Sequence, residues 1–192
     1  MTISNKKIAK GFTLVEMVVS VGIFAVVALI GTTSLLSLSI SQRKAISIQS
    51  AYDNLRFAVE IIAKDLRTGD FYHCGSSLPI DSPLDCSGGA DNIAFINAFG
   101  QGIMYRKNVV SGIGVIEKSV CDELFGACSV YDQVTGSDVD IQNLVFYVRG
   151  STIESPAYQP IVTIIAKGLA GQGKTASQFN LQTSVTQRVV RQ

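Results

Sequence analysis

The strongest pattern in the chain lies at its front, where charge disappears. No residue from Met17 to Gln42 is charged, and as a helix this run of 26 positions extends about 39 Å at ~1.5 Å per residue, enough to cross a bilayer. Phe12 to Ile40 therefore reads as one apolar helix, interrupted mildly by Gly22 and by the small polar cluster Gly31-Thr32-Thr33-Ser34, where bending is plausible. After Arg43 the composition changes while the period persists. Ile48, Ala51, Tyr52, Leu55, Val59, Ile62 and Leu66 recur at three-four spacing, the pattern of an amphipathic helix with one buried stripe. Glu60 and Lys64 are placed for an i,i+4 pair on the polar side. Gly69 offers a left-handed residue to end the helix near Thr68.

The second half of the chain changes period. Phe71 to Asn92 is rich in turn residues, among them Pro79, Pro83, Gly75, Gly88 and Gly89, and reads as a loop. Strands are expected at Asn92 to Phe99, Gly102 to Arg106, Val109 to Ile116, Ile141 to Val148, Ile161 to Ala166 and Phe179 to Val190, all β-branched or aromatic runs separated by turn residues. Leu144, Phe146 and Val148 alternate with polar neighbours, as do Phe179, Leu181, Thr183 and Val185, which suits an antiparallel sheet with one face on the helix. The expected class is α+β.

Length and charge narrow this picture. At 192 residues and 47% hydrophobic composition there is room for one domain plus a membrane segment, and a mean hydropathy of +0.32 is accounted for by the front of the chain. Lys6, Lys7 and Lys10 precede the apolar run with no acidic residue among them, so the positive-inside rule puts the N-terminus in the cytoplasm and the rest outside. Net charge is +1 and turns slightly acidic without those lysines; no basic surface argues for nucleic acid. All four cysteines, Cys74, Cys86, Cys121 and Cys128, follow the apolar run and would meet an oxidising compartment, so disulfides are expected. Four cysteines allow three connectivities, of which the local one, Cys74 with Cys86 and Cys121 with Cys128, closes the shortest loops.

Lys10-Gly11-Phe12-Thr13-Leu14-Val15-Glu16 resembles the type IV prepilin junction shared by type IV pilins and type II secretion pseudopilins. It combines a short basic leader, a glycine, then phenylalanine, and a glutamate five residues into the following chain, all ahead of a long apolar helix. The resemblance covers about residues 6 to 40. It implies a leader at 1–11, cut by prepilin peptidase between Gly11 and Phe12, with N-methylation of Phe12. Next come a transmembrane and filament-core helix at 12–40 and an extracytoplasmic pilin-like domain at 41–192. It also implies a single-pass inner-membrane protein that passes from lipid into an extracytoplasmic filament, with other pilin or pseudopilin subunits and an inner-membrane assembly platform as partners. An ordinary secretory signal has a shorter apolar core, about 7 to 15 residues. Glu16 has two readings. A carboxylate in an apolar helix is costly unless paired, and the resemblance assigns its partner as the N-terminal amine of a neighbouring subunit; Thr13-Leu14-Val15-Glu16 is equally a helix capping box. Many major pilins carry a proline near the middle of this helix, where here Gly31-Thr32-Thr33-Ser34 has none.

Asn54-Leu55-Arg56-Phe57-Ala58, Asp65-Leu66-Arg67 and Leu181 to Arg188 are similar to the corresponding helix and last strand of minor pilins and J-type minor pseudopilins. This implies a minor structural subunit, with a tip adhesin or DNA-uptake subunit and a non-polymerising anchored protein as the other readings. Other motifs carry less. Gly168 to Thr175 fits a P-loop pattern after an apolar run, yet Ser177 onward alternates like a strand, whereas a P-loop must open a helix; a glycine-rich hairpin loop is expected. The cysteine spacings lack close ligand pairs for zinc. His73 is expected at the surface. Asp81, Asp85, Asp91, Asp138 and Asp140 could feed a calcium site or serve as turn formers. No catalysis, cofactor or metal is expected.

Overall fold

The computed structural model describes residues 11–75, 82–121, 128, 130–152, 159–171 and 176–188. One helix, α1 (Leu14–Thr68), precedes nine strands among these residues: β1 (Asp70–Cys74), β2 (Cys86–Ala90), β3 (Asn92–Ile96), β4 (Gly102–Val110), β5 (Ile113–Cys121), β6 (Asp132–Gln133), β7 (Val139–Arg149), β8 (Ile161–Ala170) and β9 (Ser177–Thr186). The chain forms two compact units, residues 1–43 and 44–192. In the second, α1 from Lys44 onward packs against two antiparallel sheets, ordered β1-β3-β4-β5-β6 and β2-β7-β8-β9. This is an α+β, pilin-like architecture.

The buried stripe of α1 is Ala51, Leu55, Ala58, Ile62, Ala63 and Leu66. It is rotated from the expected one: Tyr52 is exposed and Val59 half-buried, and the small side chains Ala58 and Ala63 take the contact, so the sheets can approach the helix closely. Burial of each Leu or Ile here contributes about 1.5–3 kcal/mol. Two polar clamps fix the rotation. The Asn54 amide donates to Asp138 Oδ1 (2.6 Å) and its carbonyl accepts the Gly136 N–H (3.1 Å). Further along, Asp65 Oδ2 accepts both Tyr105 OH (2.7 Å) and Lys118 Nζ (2.6 Å). Asp65–Lys118 and Arg106–Glu117 are the ion pairs among the described residues; Glu60 and Lys64 do not meet.

The helix ends at Thr68, where the Gly69 N–H bonds Leu66 O at 3.2 Å. Gly69 is not left-handed, contrary to expectation; that conformation falls to Phe71 (φ 60°). Gly69 is small because the Phe95 ring lies where a Cβ would project. Around it Tyr72, Phe95 and Tyr105 form an aromatic cluster with centroids 6.0 and 6.2 Å apart, and Tyr72 OH donates to Leu66 O (2.6 Å). Burial, and then the bond to Asp65, push the Tyr105 phenol well above its usual range.

Three expectations fail for local reasons. Val109 to Ile116 is not one strand: Ser111 (φ 52°) and Gly112 (φ 82°) make a two-residue hairpin turn of the kind that needs two positive φ values, and β4 and β5 pair across it from Val110↔Ile113. The turn-rich stretch 71–92 is not all loop, since β1 and β2 lie within it; β2 is held by β7 despite having two glycines. His73 is buried, with Nδ1 2.8 Å from Ser82 O. Asn92 to Phe99 ends as a strand at Ile96, and β8 runs on to Ala170, pairing with β9 at Ala170↔Ser177. Gly168 thus sits inside a strand and opens no helix. Gln172 to Thr175, the rest of that motif, lie outside the described residues, as do Asp81, the leader lysines and the last strand's expected end at Val189-Val190.

Two disulfides staple the domain. Cys74–Cys86 joins β1 of one sheet to β2 of the other, and Cys121–Cys128 closes the segment after β5. Their loops span 12 and 7 residues, each worth about 2–3 kcal/mol by limiting the unfolded chain.

Two outcomes follow from this packing. Gly69→Ala should destabilise the full chain in detergent by about 1–3 kcal/mol in chemical denaturation, and Phe95→Leu should recover part of that loss; no recovery would mean that Phe95 is not the obstacle. Tyr105 holds its proton more tightly folded than unfolded, so stability should be intact below about pH 10 and fall as pH rises beyond it. Tyr105→Phe should flatten that alkaline decline in melting curves, and an unchanged decline would assign it elsewhere.

Candidate assembly site at the N-terminal junction

Gly11, Phe12 and Thr13 precede α1 in extended or irregular backbone. Glu16 closes a capping box on Thr13: the Glu16 N–H donates to Thr13 Oγ1 (3.3 Å), and Glu16 Oε2 accepts the Thr13 N–H and hydroxyl (both 3.4 Å). Such reciprocal bonds satisfy donors that the first helical turn leaves open, and a carboxylate there favours the helix dipole. Ser20 Oγ donates to Glu16 O (2.7 Å). The partners of the Glu16 carboxylate are therefore neutral, and no cation pairs with it among the described residues.

From Phe12 through Ile40 every side chain is exposed within the chain, Phe12 by 77% and Leu14 by 81%. The polar cluster in mid-helix looks after itself: Thr32 bonds Leu29 O (3.0 Å), Thr33 bonds Ile30 O (2.9 Å) and Ser34 bonds Ile30 O (2.9 Å). Hydroxyls folded back onto carbonyls of the preceding turn hide their polarity from a surrounding apolar phase, and α1 runs unbroken through them. The segment has the length and composition of a membrane span.

Three of the aspartates considered for calcium, Asp85, Asp138 and Asp140, have structural partners. Asp85 accepts the Gly150 and Ser151 N–H groups (2.9 and 2.7 Å), Asp140 accepts the Gly114 N–H (2.8 Å), and Asp138 holds Ser50 and Asn54 on α1. No group of three or more His, Cys, Asp or Glu converges on one point among the described residues. Sequence reasoning had no means of finding the helix-positioning roles of Asn54, Asp65 and Asp138, since their partners lie 40 to 88 residues away.

The apolar helix and the α+β domain define a membrane-anchored protein with a pilin-like fold. Residues 6–32 match the model of the prokaryotic N-terminal methylation motif, so the chain carries the N-terminal signature of type IV pilins and pseudopilins. No curated protein and no solved structure gives a match.

Thr13→Ala removes one arm of the capping box. Amide exchange in detergent micelles should then accelerate severalfold at Glu16 and hardly at all one turn further on; unchanged exchange at Glu16 would show that the box contributes nothing.

Proposed function

We propose that this chain is a minor structural subunit of a type IV pilus or type II secretion-like filament, with no catalysis of its own. Prepilin peptidase removes residues 1–11 on the cytoplasmic side, and Phe12 becomes the methylated N-terminus. The subunit waits in the inner membrane, N-in and C-out, with residues 12–40 in lipid. The assembly platform then withdraws it into a filament, where the helices of neighbouring subunits replace lipid. Glu16, which has only neutral partners among the described residues, there meets the amine of an adjacent subunit. A minor place near the filament's start, just below its tip, fits the likeness of Asp65-Leu66-Arg67 and of Leu181 to Arg188 to minor subunits. A subunit at the extreme tip has no neighbour above it and could dispense with Glu16.

The observation that carries this reading is the methylation motif over residues 6–32 leading into an apolar helix whose side chains are exposed through Ile40. Intact-mass analysis of the protein extracted from its native membrane tests it. The expected mass is that of residues 12–192 with one added methyl group and two disulfides; a species that keeps residues 1–11 would overturn it. Quantitative proteomics of purified filaments should find far fewer copies than of the main subunit, and equal abundance would remove the minor role.

A further inference from the structure

The second sheet buries one face and leaves the other open. Phe146, Val148, Val162, Ile164 and Val185 are buried, while the residues alternating with them face outward. Strand pairing sets that outer face in rows: Arg149 beside Ile161 beside Thr186, then Tyr147 beside Thr163 beside Ser184. Two hollows adjoin at the Ile161–Thr186 pair. One, of about 380 Å³, is lined by Tyr147, Arg149, Ile161, Thr163, Ile165 and Gln182. The other, of about 470 Å³, is lined by Arg67, Gln159, Thr186, Gln187 and Arg188. Arg67, Arg149 and Arg188 form no ion pair among the described residues. Two acids beside them in the fold are engaged elsewhere: Asp85 accepts the Gly150 and Ser151 N–H groups, and Asp70 accepts the Phe71 N–H and the Gln187 amide. A guanidinium left in this state can grip a carboxylate through two parallel bonds. Tyr147 is a backed platform, because the Gly89 backbone lies so close that a Cβ there would collide with its ring and with Val145. Next to it the Thr163 and Ser184 hydroxyls share a bond of 2.9 Å and the Gln182 amide is exposed, neutral groups that both donate and accept.

We propose that this face binds an acidic glycan, a short run of sugars carrying more than one carboxylate. The C–H face of a sugar ring suits the electron-rich face of Tyr147 beside Ile161, its hydroxyls suit Thr163, Ser184 and Gln182, and the carboxylates meet Arg149 in one hollow and Arg67 with Arg188 in the other. Two other occupants fit the charges less well. Nucleic acid is held by many phosphate contacts to a basic surface, whereas the chain without its leader lysines is slightly acidic. In a second copy of the chain the exposed acids come with cations of their own: Asp53 and Glu60 alternate with Arg56 and Lys64 on α1, Asp91 adjoins Lys107, and Asp132 lies opposite Lys118. Such a partner brings positive charge to three arginines, and an acidic glycan does not. The inference goes beyond the filament reading, and a failed titration would leave that reading untouched.

The test is titration of the purified full chain in detergent with trigalacturonate, disialyllactose and neutral lactose. At least one of the two acidic sugars should bind saturably, with lactose weaker by about tenfold or more, and the one that binds identifies the source as a uronate or a sialic-acid glycan. Arg149→Gln and Arg188→Gln should each weaken that binding about tenfold, the loss of a charge-assisted hydrogen bond. Tyr147→Ala should weaken it severalfold, and Lys64→Gln, on the exposed side of α1, should leave it unchanged. Three separate substitutions keep the test decisive should one of them fail to fold. The proposal is overturned if neither acidic sugar binds at about 10 mM, if lactose binds equally well, or if Arg149→Gln and Arg188→Gln leave binding unchanged or weaken it no more than Lys64→Gln does. Tighter binding of an oligothymidylate overturns it in favour of nucleic acid, and self-association of the chain that Arg149→Gln abolishes overturns it in favour of a second copy.

Discussion

Between Met17 and Gln42 the chain has no charge, and every side chain from Phe12 to Ile40 is exposed. At roughly 25 cal/mol per Å² of apolar surface kept from water, that stretch demands lipid or other helices around it. Every other feature of the front end is compatible with such surroundings. The hydroxyls of Thr32, Thr33 and Ser34 fold onto their own helix, and Thr13 and Glu16 close the first turn with neutral bonds. The Glu16 carboxylate has only neutral partners among the described residues, and the proposed function gives it a cation from a neighbouring subunit.

The same helix, from Lys44 on, answers a different constraint. It must present one stripe to two sheets at once, and Ala51, Ala58 and Ala63 provide the close approach while Leu55, Ile62 and Leu66 provide the buried area. Asn54 with Asp138, and Asp65 with Tyr105 and Lys118, hold its rotation. Its end is set by space: Gly69 yields to the Phe95 ring, and Cys74–Cys86 ties together the sheets that follow.

Much of this was legible in the sequence, and the exceptions have physical causes. The apolar run, the three-four stripe and the alternation of Leu144, Phe146 and Val148 are local patterns, so they gave the long helix, the antiparallel strands and the α+β class. The motif over residues 6–32 was visible because the glycine, the phenylalanine and the lone charge of Glu16 ahead of an apolar helix are adjacent in sequence. Long-range pairing was hidden. Nothing local marks Tyr105 and Lys118 as partners of Asp65, or divides the strands into two sheets. Val109 to Ile116 was misread because Ser111-Gly112 is a weaker turn cue than the β-branched residues on either side. The sequence pattern also made Gly69 a conformational residue, when its neighbour Phe95, met only in three dimensions, makes it a steric one.

The central claim is that Glu16 serves assembly rather than folding or insertion. It is tested most directly by comparing Glu16→Ala with the unaltered chain in membranes and in sheared filaments of the same cells. The account predicts that the variant is inserted and has its leader removed, at membrane levels close to normal, while its recovery in filaments falls steeply. Normal recovery of Glu16→Ala in filaments, or its disappearance from the membrane, would contradict the account.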